Sequence, residues 1–156
     1  MSHFLFRLLK LPPRLLYAVG LSGLYGRFVL LLTTKGRKTG KARVTPLQYE
    51  RVDGTFIVGS ARGTDSDWYR NIVAEPRVEI RVGRLRLSGV ATTCTDAACL
   101  AEYLELRLKR HPRMVGRILR LRGVPANPTV AQLATYASRL AMVTITPLED
   151  QALNDR

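Results

Sequence analysis

The dipeptide Asp53-Gly54 does more than any other feature to limit what this chain can fold into. It stands between two β-prone runs, Ala42–Val52 and Thr55–Ser60, and Asp-Gly tolerates the positive φ angles of the two-residue turn whose twist matches that of paired strands. An antiparallel hairpin is expected there. A second is expected at Gly83-Arg84, where Val78, Ile80 and Val82 alternate with Glu79 and Arg81 before Leu85 and Leu87. Phe28 to Thr34 reads as a buried strand and Met142 to Thr146 as the last one. Pro46 inside the second strand implies a bulge or an edge. Helices fall between the strands: Asp67 to Ala74 behind a Ser66 cap, a long one opened by Thr95-Asp96 and ending near His111-Pro112, a basic stretch from Arg113 to Arg122, and one from Thr129 to about Leu140. Strands joined mostly by hairpins do not fit a doubly wound parallel sheet. A mainly β, α+β architecture is expected, a small antiparallel barrel with peripheral helices.

Length sets one domain over residues 1–156, with 1–26 as an N-terminal helical extension. Within that extension Phe4, Leu5, Leu8 and Leu9 share a helical face, leaving Arg7, Lys10 and Arg14 to the other. Such a helix either packs on the domain or lies on an anionic membrane. The formal charge of +13 calls for anionic partners: nucleic acid, an acidic membrane surface or a polyanionic small molecule. It is uneven, with seven bases and no acid from Arg107 to Arg122. Few aromatics accompany the basic clusters and no nucleic-acid motif is present, so no specific nucleic-acid partner is expected. Cys94, Cys99, His3 and His111 show no ligand spacing; free thiols, isolated histidines and no metal site are expected. The apolar stretch Leu15 to Gly26 is too short to span a bilayer and no export signal is evident. The expected location is cytoplasmic, with peripheral contact at the inner face of the membrane left open.

The most specific chemistry lies between Thr33 and Tyr49. Gly36 and Gly40 free the backbone, while Lys35, Arg37, Lys38, Lys41 and Arg43 crowd cations around its amides. Such a loop can hold a phosphate or carboxylate, with arginine adding two-pronged hydrogen bonds. A solvated basic turn is the alternative reading, since neither a Walker pattern nor a dinucleotide glycine pattern occurs.

Taken together, Leu32-Thr33-Thr34-Lys35-Gly36-Arg37-Lys38-Thr39-Gly40, Arg43-Val44-Thr45-Pro46-Leu47-Gln48-Tyr49, Gly59-Ser60, Asp67-Trp68-Tyr69-Arg70-Asn71-Ile72 and Glu75-Pro76-Arg77-Val78 resemble, in order and spacing, the deazaflavin-dependent nitroreductase family. The resemblance implies a split β-barrel related to flavin-mononucleotide-binding oxidases. Its implied cofactor is coenzyme F420, with FMN as the alternative, and its implied assembly is a homodimer. It places Gly36, Arg37, Lys38, Thr39, Gly40 and Arg43 around the phosphate and glutamate tail, with Pro46 beside them. Tyr49 and Ser60 would line the ring end, with Ser60 hydrogen-bonding near the reactive ring. Trp68, Tyr69 and Asn71 would begin the helix that closes the site, and Arg62 would add charge at the phosphates. The implied reaction is hydride transfer from reduced cofactor to a quinone-like, nitro or other conjugated acceptor. Two departures bear on it. The loop from Ala61 to Asp67 is shorter than the family's and lacks a proline before the tryptophan, and the aromatic residues that contact nitro compounds have no counterpart in Arg113 to Arg122. The acceptor expected is therefore a quinone or another conjugated, membrane-soluble molecule. A non-catalytic cofactor- or lipid-binding barrel is the alternative function.

Overall fold

The computed structural model describes residues 28–125 and 127–148. The helical extension expected over 1–26 lies outside them. Six strands, β1 (Val29–Lys35), β2 (Ala42–Val52), β3 (Thr55–Ser60), β4 (Arg77–Val82), β5 (Leu85–Cys94) and β6 (Ala141–Pro147), form a closed antiparallel barrel in the order β1-β2-β3-β6-β5-β4. Among the described residues four helices accompany it: α1 (Asp67–Ala74), α2 (Ala97–Arg110), α3 (Pro112–Leu121) and α4 (Val130–Ala137). This is the expected mainly β, split-barrel flavin-like architecture.

Both hairpins form where the turn residues put them. Asp53 and Gly54 take φ of 47° and 81°, both in the left-handed region that the two-residue turn demands. Alternation then sorts the strands. Leu30, Leu32, Phe56, Val58, Val78, Ile80, Val143 and Ile145 point into the barrel and are buried, each contributing about 1.5–3 kcal/mol through lost water contact. Helix α1 adds Trp68, Tyr69 and Ile72 to this core. A second core lies outside the barrel wall, where Leu100 and Tyr103 of α2, Val115 and Leu119 of α3 and Leu133 of α4 pack with Met142 of β6 and Ile57 of β3.

Pro46 resolves to an edge rather than a bulge. Its pairing with Leu31 runs in unbroken register from Val29↔Gln48 to Lys35↔Ala42, whereas β2 meets β3 only from Tyr49 onward. At Pro46 the strand is paired on one side alone, so the missing N–H costs no ladder bond. The barrel closes through Leu31↔Arg81 to Thr33↔Glu79. Even so, β2 has no second partner before Tyr49, so the stretch from Ala42 to Gln48 remains an edge.

Three local details differ from expectation. Ser66 occupies the cap position of α1 but makes no side-chain cap bond; its hydroxyl turns to Ser60 instead, 2.6 Å away. A short 3-10 turn, Gly63–Asp65, precedes it. Helix α4 stops at Ala137 rather than near Leu140, because the chain enters β6 at Ala141. Its start is as expected, with Thr129 and Gln132 forming a reciprocal capping box.

Candidate functional site

The turn between β1 and β2 is held from within. The Gly36 N–H donates to the Lys41 carbonyl at 2.8 Å and the Gly40 N–H to the Gly36 carbonyl at 2.7 Å. Gly40 sits at φ +68°, and a Cβ on Gly36 would lie 3.1 Å from both the Lys41 carbonyl and the Thr39 hydroxyl. The Arg37 N–H donates to Asn71 Oδ1 at 3.2 Å and the Lys41 N–H to Thr39 Oγ1 at 3.4 Å. The loop's amides are thus largely consumed by its own shape. The N–H groups of Lys38 and Thr39 are left without a partner among the described residues.

Arg37 ties this turn to the start of α1. Its Nη1 donates to Asn71 Oδ1 at 3.1 Å and to the Asp67 carbonyl at 3.4 Å, and its Nη2 to Asp67 Oδ1 at 3.0 Å. Asn71 is anchored in turn, donating from Nδ2 to Thr34 Oγ1 at 3.1 Å. Thr34 and Asn71 are both buried, so this hydrogen-bonded link sits where an unpaired polar group would be costly. The hydrogen bond from Arg37, reinforced by its charge, holds the Asp67 carboxyl below its ordinary value.

Between turn and helix lies a cleft of about 640 Å³. Gly36, Arg37, Lys38, Thr39 and Arg43 line one side, and Trp68 and Asn71 the other. Val44 and Thr45 of β2 extend it. Among the described residues Lys38 and Arg43 make no ion pair, so their charge is available to an anion. Trp68 is buried against Tyr69, ring centroids 6.2 Å apart in an edge-on arrangement, yet it still lines the cleft.

The remaining residues singled out in the sequence lie elsewhere. Gly40 faces a second cleft of about 420 Å³ with Lys35 and Arg77. Pro46 is half-buried on β2, Tyr69 is buried in the core and Arg62 is exposed. Tyr49 packs on Phe56 inside the barrel, ring centroids 5.7 Å apart, and burial raises its phenol pKa. Ser60, 2 % exposed, donates to the Gly63 carbonyl at 2.7 Å. A hydroxyl carries one proton, so Ser66 is the donor in the Ser60–Ser66 contact. The structure brings neither Ser60 nor Tyr49 to the cationic cleft.

Two groups of residues gave no local signal. Asp67 becomes a cleft residue through Arg37, thirty positions away in sequence. Glu50, buried on β2, lies 3.4 Å from Arg107 Nε, 3.2 Å from Arg110 Nη1 and 3.2 Å from His111 Nε2. His111 is therefore not isolated. The cysteines are free and half-buried; burial, with Cys94 as neighbour, pushes the Cys99 thiol up to about 11. No group of residues among those described could hold a metal ion.

A closed antiparallel barrel with a basic cleft between the β1–β2 turn and α1 defines a flavin-type split-barrel protein. Residues 18–117 match the model of the F420H(2)-dependent quinone reductase family, and the chain belongs to that family, one of deazaflavin-dependent reductases. The F420H(2)-dependent quinone reductase of Mycobacterium tuberculosis (strain H37Rv) is 40% identical over 65 residues, 40% of this chain and 44% of that protein. The match thus spans less than half of the curated relative's length. In fold, the chain resembles a solved F420-H2-dependent reductase with a TM-score of 0.53 at 22% identity, covering 76% of this chain and 94% of that one. It also resembles a conserved hypothetical protein from Mycobacterium tuberculosis with a TM-score of 0.55 at 15% identity, covering 83% and 79%.

Proposed function

We propose that this protein is an F420H2-dependent reductase that transfers hydride to a quinone-like acceptor, with nitro and other conjugated compounds as further acceptors. The observation that carries the reading is the cleft in which Lys38 and Arg43 stand unpaired beside the free N–H groups of Lys38 and Thr39. That donor set suits a phosphate and a carboxylate tail, because cations and aligned N–H groups act together on one anion. In this reading Gly36, Arg37, Lys38, Thr39 and Arg43 bind the tail, while Trp68 and Asn71 form the facing wall. FMN, with a single phosphate, would engage fewer of these cations.

When bound, the reduced deazaflavin supplies the hydride. The chain's own task is positioning: Arg37, held by Asp67 and Asn71, fixes the turn against α1, and Trp68 gives an apolar surface that excludes water from one side. Ser60 serves from behind by holding the 3-10 turn that leads into α1. The assembly is a homodimer. Its place is the cytoplasm, in peripheral contact with the membrane where a lipid-soluble acceptor resides.

Fluorescence titration with F420 tests the reading, followed by oxidation of F420H2 with menadione. Wild-type protein binds and turns over, and Lys38→Ala/Arg43→Ala weakens binding by at least about tenfold. Binding indifferent to that double substitution would move the site elsewhere. Binding without turnover by any quinone or nitro compound would favour the non-catalytic carrier.

A further inference from the structure

Helix α3 carries three stripes rather than two. Val115 and Leu119 face the protein and are buried. Met114, Ile118 and Leu121 share a second face, since residues three and four apart are neighbours on a helix, and all three are exposed, Leu121 at 80%. Arg113, Arg117 and Arg120 share a third, also exposed. No acidic residue lies between Glu105 and Glu149, so nothing on this segment offsets the arginines. Apolar side chains that stay in water beside uncompensated cations are what an interfacial helix presents to a bilayer.

The stripe has neighbours that extend it. Phe28, 56% exposed, stands edge-on to His111 at a centroid distance of 6.4 Å, immediately before α3 begins. On the other side Gln48 of β2 donates to Met114 Sδ at 3.9 Å. Alternation puts Gln48 on the same outer face of β2 as Val44, which is 47% exposed and lines the cationic cleft. The outer face of β2 thus runs from Gln48, beside α3, to Val44 at the cleft.

We propose that α3 is a docking surface for an anionic lipid bilayer, with Met114, Ile118 and Leu121 entering the headgroup boundary and Arg113, Arg117 and Arg120 pairing with lipid phosphates. The surface is read from α3 and its neighbours and does not depend on the cofactor. If the reductase reading also holds, the docked helix presents the cleft to acceptors dissolved in the membrane.

The test is co-sedimentation of the full chain with vesicles of phosphatidylglycerol and phosphatidylcholine, against vesicles of phosphatidylcholine alone. Binding is expected only to the anionic vesicles, weakening as ionic strength rises from about 0.05 to 0.5 M. Ile118→Asp/Leu121→Asp should weaken it by at least about tenfold. Arg117→Ala/Arg120→Ala should weaken it by about fivefold per arginine. Both pairs are exposed, and unchanged circular dichroism and F420 affinity would certify the fold. Wild-type protein that ignores anionic vesicles overturns the proposal. So does undiminished binding by both variants, which would assign the lipid contact to residues 1–27.

Discussion

In the proposed function Arg37 carries two duties, and they separate under substitution. Its Nη1 and one Nη2 hydrogen are committed to Asn71 and Asp67, leaving Nε and the second Nη2 hydrogen for a ligand. Arg43 has no such commitment. Arg37→Ala should therefore cost about 1 kcal/mol of stability and weaken F420 binding, whereas Arg43→Ala should weaken binding and leave the urea midpoint unchanged. The Arg37–Asp67 contact also has a pH signature. Because the folded carboxyl titrates below its ordinary value of 3.8, its contribution is present above that value and is lost as pH falls through the lower folded pKa. Asp67 is fully solvent-exposed and the effect on global stability is small; the direct readout is the carbon chemical shift of its carboxyl. Its midpoint should lie below 3.8 in wild type and return toward that value in Arg37→Ala. A midpoint unmoved by the substitution would mean that the pair does not form in solution. Gly63 supplies the other residue-scale prediction. It sits at φ +57°, and an added Cβ would fall 2.9 Å from the Arg139 carbonyl, whereas Gly54 at φ +81° has open space. Gly63→Ala should cost about 2–3 kcal/mol and Gly54→Ala about 1 kcal/mol in denaturant unfolding.

At the scale of elements, the joint between α2 and α3 hangs on one carboxylate. Glu50 comes from the barrel wall and is met by Arg107 and Arg110 at the end of α2 and by His111 between the helices. Glu50→Gln keeps the volume and removes the charge, which leaves Arg107, itself mostly buried, without its counter-ion. A loss of roughly 2–3 kcal/mol follows, with the unfolding midpoint as the measurement; less than about 0.5 kcal/mol would show that the cluster is solvated and contributes little. This joint was illegible in the sequence, since Glu50 and Arg110 are sixty positions apart and no spacing rule links them. The strands were legible for the opposite reason. Asp53-Gly54, Gly83-Arg84 and the alternation of Val78, Ile80 and Val82 are local signals with local causes, and β2 begins and ends where its residue pattern does. The cleft falls between these cases. Its basic wall could be read from Gly36 to Arg43, but the reach of Arg37 across to Asn71 belongs to the folded chain. The partners of the Ser60 hydroxyl, Gly63 and Ser66, likewise belong to the folded loop.

The whole molecule carries +13 on a closed barrel. A large net positive charge opposes the meeting of two copies at low ionic strength. The same field draws in a polyanion. Part of that attraction is long-range and falls away with screening over about 10 Å at 0.1 M salt; in the proposed function the remainder is direct pairing at Lys38 and Arg43, which line the cleft. These parts can be separated by titrating F420 species with successively longer glutamate tails at several salt concentrations. Affinity should rise with tail length, and its dependence on salt should steepen in parallel, because each added carboxylate meets the same cationic wall. Lys38→Ala/Arg43→Ala should flatten both trends together while leaving the unliganded melting temperature unchanged. Thermal melts give an independent readout, since a ligand at about a hundred times its Kd stabilises the fold by roughly 2.7 kcal/mol, and that increment should shrink with salt in wild type more than in the double variant. If instead tail length leaves affinity constant, recognition rests on the apolar side of the cleft at Trp68 and the net charge serves another surface of the molecule, of which the arginine stripe of α3 is the one already exposed.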